Sequence, residues 1–172
     1  VCFVRCAVRR QPRVSLGLPR VALEAIRLAA GRSSLTRFKS VLFHEMSRRF
    51  SLEDEADAFW QSEGTRRKLG AWFQTTPRDL PIVIASASPE FELTHAAKLL
   101  GVGHLIGTQC DMKTGELTGK NCKGEQKIAR IREALGEFEV RAMYTDDAKA
   151  DGPLLAIAQE RYLVTHGQVK RI

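Results

Sequence analysis

A change in the hydrophobic pattern near residue 78 limits the folds that this chain can adopt. Before it, apolar residues recur at spacings of three and four, from Val21 to Ala29 and from Leu35 to Met46, which predicts amphipathic helices. After it, the short run from Ile82 to Ala85 is apolar and mostly β-branched, which is typical of a buried parallel strand. The pattern therefore predicts a helical domain over residues 1–78 and a second domain over residues 79–172.

Strands and helices alternate in the second domain. Ser88 is expected to cap a helix with Pro89 at its first position, and a hairpin is expected to turn at Lys113-Thr114-Gly115, where glycine supplies the positive φ. The other expected elements are helices from Lys123 to Leu135 and Pro153 to Gln159, and strands from Val140 to Thr145 and Tyr162 to Thr165. This alternation predicts an α/β fold with a doubly wound parallel sheet, which binds ligands at the carboxyl ends of its strands.

The composition of the 172 residues fits a globular protein, because 44% are apolar and 27% are charged. The net charge of +7 is uneven, since residues 1–79 contain 15 Lys and Arg against 8 Asp and Glu, whereas residues 80–172 contain 12 of each. An arginine-rich half can meet nucleic acid, anionic lipid or a phosphorylated substrate. Few aromatic residues and no nucleic-acid motif accompany these arginines, so solvated helix faces are expected and nucleic acid is not an expected partner. The alternative is that the chain is an RNA-binding protein, whose affinity for nucleic acid would fall steeply as the salt concentration rises.

Cysteine spacing and the first residues bear on the cellular compartment. Cys2, Cys6, Cys110 and Cys122 form no C-x-x-C pair and have no histidines at zinc-finger spacing, so free thiols are expected. The start VCFVRCAVRR is charged where a signal peptide is apolar, and no run approaches the about 20 apolar residues of a membrane span. These features predict a cytoplasmic protein without a transmembrane segment and leave the oligomeric state open.

Two groups of polar residues follow predicted strands. Ser86 ends the first strand just before a helix, where a hydroxyl and the helix N–H groups suit phosphate oxygens; alternatively, Ser86 and Ser88 are turn and cap residues. Asp146, Asp147 and Asp151 follow a later strand, and carboxylates this close repel one another unless a hard cation holds them. The alternative for these aspartates is a helix cap with two solvated acids.

A third polar feature is Lys127, on the helix before the strand that leads to the aspartates. Lys123 is expected one turn earlier on the same helix face. A lysine that reaches a site with carboxylates can pair with one of them and with a phosphate oxygen. The alternative is that both are ordinary surface lysines.

In this order, the three features resemble the second, third and fourth motifs of the haloacid dehalogenase superfamily, in its phosphoserine phosphatase-like branch. The stretches that carry the resemblance are IVIASASPEFEL, NCKGEQKIARI and MYTDDAKADGPLL. The resemblance covers nearly the whole chain, because that branch has a helical cap where the helical part lies. It implies a cap over residues 1–78 and an α/β phosphatase core over residues 79–172.

The resemblance also implies roles for the serine and lysine motifs. Ser86, with Ala87 and Ser88 beside it, would bind the transferring phosphoryl group of a small phosphorylated substrate. Lys127 would neutralise that group. Lys123 remains an alternative to Lys127, because an N-x-K-G-E arrangement also occurs in the branch, and Lys123 is otherwise expected to bind substrate.

For the aspartates, the resemblance implies a Mg²⁺ site. Asp146 would bind the ion and Asp151 would support the site, while Asp147 is a second possible ligand at a shorter spacing from Asp151. The implied activity is Mg²⁺-dependent hydrolysis of a phosphate monoester through an aspartyl-phosphate. Phosphoserine is the obvious substrate of such an enzyme, but other phosphorylated metabolites and lipid head groups are compatible with the basic cap.

The first motif of the family, D-x-D-x-T after an N-terminal strand, is absent from the sequence, in which no aspartate precedes Asp54. In the family it supplies the Asp nucleophile and an Asp general acid. We therefore expect a core without its first strand and a chain that is inactive by itself. The alternative function is that of a non-catalytic relative that binds a phosphorylated ligand or a partner. An in-frame D-x-D-x-T upstream of Val1 would favour the enzyme.

Overall fold

The computed structural model describes residues 2–11, 17–62, 73, 76 and 79–172. Residues 77 and 78 lie outside these ranges, so the domain boundary near residue 78 stays a prediction. Within the described ranges, helices form the first part of the chain, and strands alternate with helices in the second. No helix in these ranges has both the length and the apolar character needed to cross a membrane.

The described residues of the first part form four helices. They are α1 (Cys2–Arg10), α2 (Leu18–Ala29), α3 (Leu35–Ser47) and α4 (Leu52–Gln61). Ser34 begins α3 and Ser51 begins α4, because each serine side chain accepts a hydrogen bond from the backbone N–H three residues later. α2 and α3 agree with the two helices that the sequence periodicity predicted from Val21 to Ala29 and from Leu35 to Met46.

An aromatic cluster joins this helical part to the second part of the chain. Phe91, from the second part, packs edge-to-face against Phe3 and Phe43, with ring centroids 5.9 and 5.4 Å apart. The buried members of the cluster are Phe3, Ala7, Phe43, Met46, Leu52, Ala56 and Phe91. The two parts therefore share apolar packing.

The second part forms two sheets of three strands each. Its elements are β1 (Val83–Pro89), α5 (Glu90–Leu99), β2 (His104–Cys110), β3 (Leu117–Thr118), α6 (Glu125–Leu135), β4 (Val140–Thr145), α7 (Gly152–Ile157), β5 (Ala158–Thr165) and β6 (Gln168–Arg171). β1 pairs in parallel with β2, and β4 pairs in parallel with β5. β3 and β6 add antiparallel strands, so the orders are β1-β2-β3 and β4-β5-β6. The predicted α/β fold with parallel strands is confirmed.

Both sheets contribute to a second hydrophobic core. Its buried members are Ile106, Cys122, Ile131, Met143, Leu154, Leu155 and Ala158, and Val83 and Ala85 of β1 pack against them. β1 and β4 are the first strands of their sheets, and no strand in the described ranges pairs with their other edges. The two parallel pairs thus share a core without sharing a hydrogen-bonded edge.

The start of α5 differs from the prediction. Its N-cap is Pro89, with no side-chain hydrogen bond to the helix, so the expected Ser88 cap is wrong. The Ser88 N–H donates to Ser86 Oγ at 3.1 Å, and its side chain hydrogen-bonds Glu92. Because Ser88 makes these contacts, the helix begins only at Glu90. β1 continues to Pro89, so the expectation that Ser86 ends this strand is also wrong.

The start of α6 also differs. Gly124, with φ of 58°, precedes the helix, which begins at Glu125. A residue in this left-handed region does not continue a right-handed helix. Lys123 therefore lies outside α6, and the expectation that it shares a helix face with Lys127 is wrong.

The C-terminal elements are shifted, and one was missed. β5 begins at Ala158 rather than Tyr162, because it pairs with β4 from Val140 onward, and this pairing ends α7 early. β6 was not predicted. It follows a turn at His166 and Gly167, whose φ values of 51° and 81° are those of a tight hairpin turn.

The predicted hairpin between β2 and β3 is present, and the helical part contacts it. Ser47 Oγ donates to the Thr114 carbonyl at 2.9 Å, and His44 Nδ1 lies 2.7 Å from the same oxygen. The Leu117 N–H donates to Ser40 Oγ at 3.1 Å. These contacts hold α3 against the hairpin.

Candidate active site

A buried polar centre links α6 to the loop after β4. Lys127 Nζ lies 2.5 Å from Asp151 Oδ1, and each side chain is 9% exposed. Thr145, the last residue of β4, donates its hydroxyl to Asp151 Oδ2 at 2.6 Å. Each carboxylate oxygen therefore has a donor, which offsets the cost of burying the charge. An ammonium has three N–H donors, so Lys127 retains donors for a second acceptor.

The two aspartates that follow β4 differ in their contacts. Asp147 belongs to the turn, because its N–H donates to Thr145 Oγ1 at 3.0 Å and its Oδ1 accepts from the Ala150 N–H at 2.9 Å. Asp146 is exposed. No hydrogen bond or ion pair joins its carboxylate to the part of the chain that the structure describes. Asp146 is therefore the freer of the two possible metal ligands.

The carboxylates that follow β4 are the type of ligand that Mg²⁺ binds, but they are too few to fill its coordination shell. Over the described ranges, no group of three or more His, Cys, Asp or Glu side chains is placed to hold a metal ion. Mg²⁺ commonly uses one or two carboxylates and completes its shell with water and substrate phosphate. Asp146 and Asp147 are hard oxygen donors, so they can supply part of such a shell.

The segment from Ser86 to Ser88 and the cation of Lys127 both act on Cys122. The Ser86 backbone hydrogen-bonds the thiol of Cys122, which is fully buried. Burial raises the pKa of this thiol, while the charges of Arg130 and Lys127 oppose the rise. Both cations and the Ser86 backbone therefore act on one thiol. The thiol stays protonated and is a poor nucleophile.

Thr108, fully buried in β2, connects this segment to the loop before α6. Its Oγ1 lies 3.1 Å from the Ala87 carbonyl and 3.0 Å from Asn121 Oδ1, and it accepts the Cys122 N–H at 3.1 Å. The hydroxyl has one proton, which it donates to one of the two oxygens at a time. Lys39 of α3 is a second donor to the Ala87 carbonyl, at 3.0 Å.

Charged residues from both parts of the chain surround this segment. Burial lowers the pKa of Lys39; Glu92 opposes this effect and Lys123 adds to it. Burial raises the pKa of Glu92, while Lys39 and a hydrogen bond with Ser88 oppose the rise. Lys123 itself is exposed.

The structure thus brings part of the predicted site together. Lys127 and Asp151 are in direct contact, and Cys122 links the Ser86 segment to their surroundings. Asp146 and Asp147 are exposed at the end of β4. Lys123 is exposed, and its charge acts on Lys39.

Sequence reasoning missed three residues of this region. Thr145 could have been found, because it is the strand residue directly before the aspartates. Thr108 and Lys39 carry no local signal, since both reach the Ala87 carbonyl from elements far away in the sequence.

The fold defines an α/β protein whose polar cluster lies at the ends of parallel strands, the position where such folds bind ligands. The sequence model of haloacid dehalogenase-like hydrolases matches residues 1–156. The chain belongs to this haloacid dehalogenase-like hydrolase family, as the sequence motifs predicted. Its assignment to the phosphoserine phosphatase-like branch stays a prediction.

Two comparisons with individual proteins add detail. Protein CicA from two strains of Caulobacter vibrioides, NA1000 / CB15N and ATCC 19089 / CIP 103742 / CB 15, is 32% identical over 120 residues. The match covers 66% of this chain and 54% of CicA, so the chain spans about half the length of this curated relative. A crystal structure of a protein with unknown function from Bordetella pertussis Tohama I is similar, with a TM-score of 0.72 and 18% identity. That match covers 93% of this chain and 81% of the other, and at this identity it shows the fold alone.

Proposed function

We propose that this chain carries the phosphate-binding part of a Mg²⁺-dependent phosphomonoesterase of the phosphoserine phosphatase type. The observation that supports the proposal is the buried Lys127–Asp151 pair, oriented by Thr145 at the end of β4. A buried ion pair adds little net stability compared with a packed apolar pair of similar volume. A role in holding an anion therefore accounts for this pair better than stability does.

In the proposed reaction, the Ser86 hydroxyl, which accepts from the Ser88 N–H and keeps its own proton to donate, binds a phosphoryl oxygen. Lys127 neutralises the phosphoryl charge, and Asp151 and Thr145 keep its ammonium in place. Mg²⁺, with Asp146 as a ligand, would supply further positive charge against the charge that develops on phosphorus oxygens. The nucleophile is the first Asp of a D-x-D-x-T motif, which this sequence does not contain.

The proposed substrate is a small phosphorylated metabolite in the cytoplasm. A second possible function is that of a non-catalytic relative that binds a phosphorylated ligand. It is favoured by Asp151, both of whose oxygens already have donors.

Titration of inorganic phosphate in the presence and absence of Mg²⁺ tests the proposal. We expect Mg²⁺ to tighten phosphate binding, and Asp146→Asn to weaken binding in Mg²⁺ by about tenfold or more, the scale of one charge-assisted contact. The matched control is Asp54→Asn, an exposed aspartate on α4, which should behave like wild type.

Absence of phosphate binding would remove the proposed function. Phosphate binding that ignores both Mg²⁺ and Asp146→Asn would favour the non-catalytic relative. In a form that carries D-x-D-x-T, Asp146→Asn should also lower kcat about 100-fold or more.

A further inference from the structure

Lys39 is the residue of the helical part that reaches the Ser86–Ser88 segment most directly. It lies on α3, and its Nζ donates to the Ala87 carbonyl at 3.0 Å, across 48 positions of sequence. Thr108 of β2 lies 3.1 Å from the same carbonyl, through its Oγ1. The ammonium of Lys39 is therefore fixed next to the proposed phosphate-binding segment.

The charge of Lys39 is not neutralised by a direct ion pair in the described part of the chain, where its hydrogen bond is to a neutral carbonyl. Glu92 acts on it only as a nearby charge, and Lys123 adds a second cation. Glu92 also contacts Ser88. Lys39 and Lys123 are thus two cations that act on each other beside the segment, with Glu92 as a carboxylate that acts on Lys39.

This charge is separate from the one proposed to neutralise the phosphoryl group. Lys127 is paired with Asp151 in the core, whereas Lys39 comes from the helical part and is half-buried. An ammonium with one acceptor keeps two N–H donors. A half-buried cation with free donors, placed beside a phosphate-binding segment, suits an anionic group on the part of the substrate that leaves.

We propose that Lys39, assisted by Lys123, is a specificity-determining residue that binds a second anionic group of the substrate. The inference rests on the proposed function and adds a substrate class, namely phosphate monoesters whose alcohol carries a carboxylate or a second phosphate. Monoesters of neutral alcohols lack this contact and bind less tightly.

The test compares three probes by calorimetry in Mg²⁺, on a preparation of the 172-residue chain that size-exclusion chromatography has shown to be monomeric. Ethyl phosphate has one anionic group, phosphoglycolate adds a carboxylate, and ethylene glycol bisphosphate adds a phosphate. Wild type should prefer one or both doubly anionic probes over ethyl phosphate by about tenfold or more, as expected for one charge-assisted contact. The probe that gains more identifies the second group.

Three variants complete the test. Lys39→Gln keeps a donor for the Ala87 carbonyl but removes the charge, so it should abolish the preference and leave ethyl phosphate binding within about twofold. Lys39→Arg should retain the preference. Lys98→Gln removes an exposed lysine on α5 and should match wild type.

The outcomes separate this inference from the proposed function. If Lys39→Gln weakens all three probes equally, Lys39 acts on the phosphate or on the segment, and the inference is wrong while the phosphate site stands. The same holds if wild type shows no preference. If no probe binds to wild type, the proposed function fails and the inference fails with it.

Discussion

Lys127 illustrates how a basic side chain is accommodated in a protein core. Its ammonium and the Asp151 carboxylate lie 2.5 Å apart, and Thr145 satisfies the remaining carboxylate oxygen. Desolvation of two charges is costly, and their attraction repays it only when the geometry is good and the other lone pairs are satisfied. Removal of either partner would leave a buried charge without compensation.

Lys127→Ala should therefore have two effects. It should lower the free energy of unfolding by about 3–5 kcal/mol, because Asp151 stays buried without its cation. It should also remove phosphate binding.

Lys123→Ala should change the free energy of unfolding by less than about 0.5 kcal/mol, since Lys123 is exposed. This variant should alter mainly the affinity for larger substrates. Urea denaturation and phosphate titration measure both quantities.

A double variant separates stability from binding. Lys127→Met combined with Asp151→Asn removes both charges, so most of the lost stability should return while phosphate binding stays absent. If the double variant also regains phosphate binding, Lys127 has only a structural role. Loss of binding in Lys123→Ala alone would assign the role to Lys123.

Part of this candidate site could be predicted from single residues in the sequence. Ser86 and Asp146 were recognisable because each directly follows a short run of residues that predicts a strand, although β1 continues beyond Ser86 to Pro89. The partners of these residues were not recognisable in the same way. Lys39 and Thr108 both contact the Ala87 carbonyl, and they do so because α3 and β2 pack beside it. Local sequence patterns do not predict contacts between residues so far apart in the chain.

At the scale of secondary structure, the hairpin formed by β2 and β3 holds α3 of the helical part in position. The turn residue Gly115 has φ of +72°, and a Cβ on it would overlap the carbonyl of Phe43 on α3. Thr114 and Leu117 of the same hairpin hydrogen-bond side chains of α3. The position of Lys39 on α3 therefore depends on this contact.

Gly115→Ala should be more destabilising than Gly119→Ala, a matched control on the same hairpin. Both glycines have positive φ, +72° and +75°, so both substitutions carry a similar backbone cost. Only the first introduces an overlap with Phe43, which should add about 1–3 kcal/mol to the loss in the free energy of unfolding. Equal losses in urea denaturation would show that α3 does not pack on the hairpin turn.

Element prediction succeeded where the pattern was local and failed where pairing decided the outcome. β4 was predicted with its observed bounds, because its apolar run ends at a cluster of aspartates. β5 was predicted four residues short, since its first half is a strand only by pairing with β4. β6 has no buried residue to produce a hydrophobic pattern, so it could not be read from the sequence.

At the scale of the whole molecule, the two sheets pose a problem of unpaired edges. β1 and β4 contribute to one core, yet neither has a second neighbouring strand in the described ranges. Such edges expose unpaired N–H and C=O groups and favour association with other chains. A parallel strand between β1 and β4 would pair with both edges.

The last prediction is that the 172-residue chain is inactive and prone to aggregate, and that an added N-terminal strand ending in D-x-D-x-T restores solubility and Mg²⁺-dependent phosphatase activity. The strand would pair with the free edges of β1 and β4, and its first Asp would supply the nucleophile that the sequence lacks. A matched form ending in N-x-N-x-T separates the two effects, because it should be as soluble as the D-x-D-x-T form but inactive. The measurements are size-exclusion chromatography and hydrolysis of a panel of phosphate monoesters. Comparable hydrolysis by the unextended chain would mean that the nucleophile lies among these 172 residues, and the proposed mechanism would then be wrong.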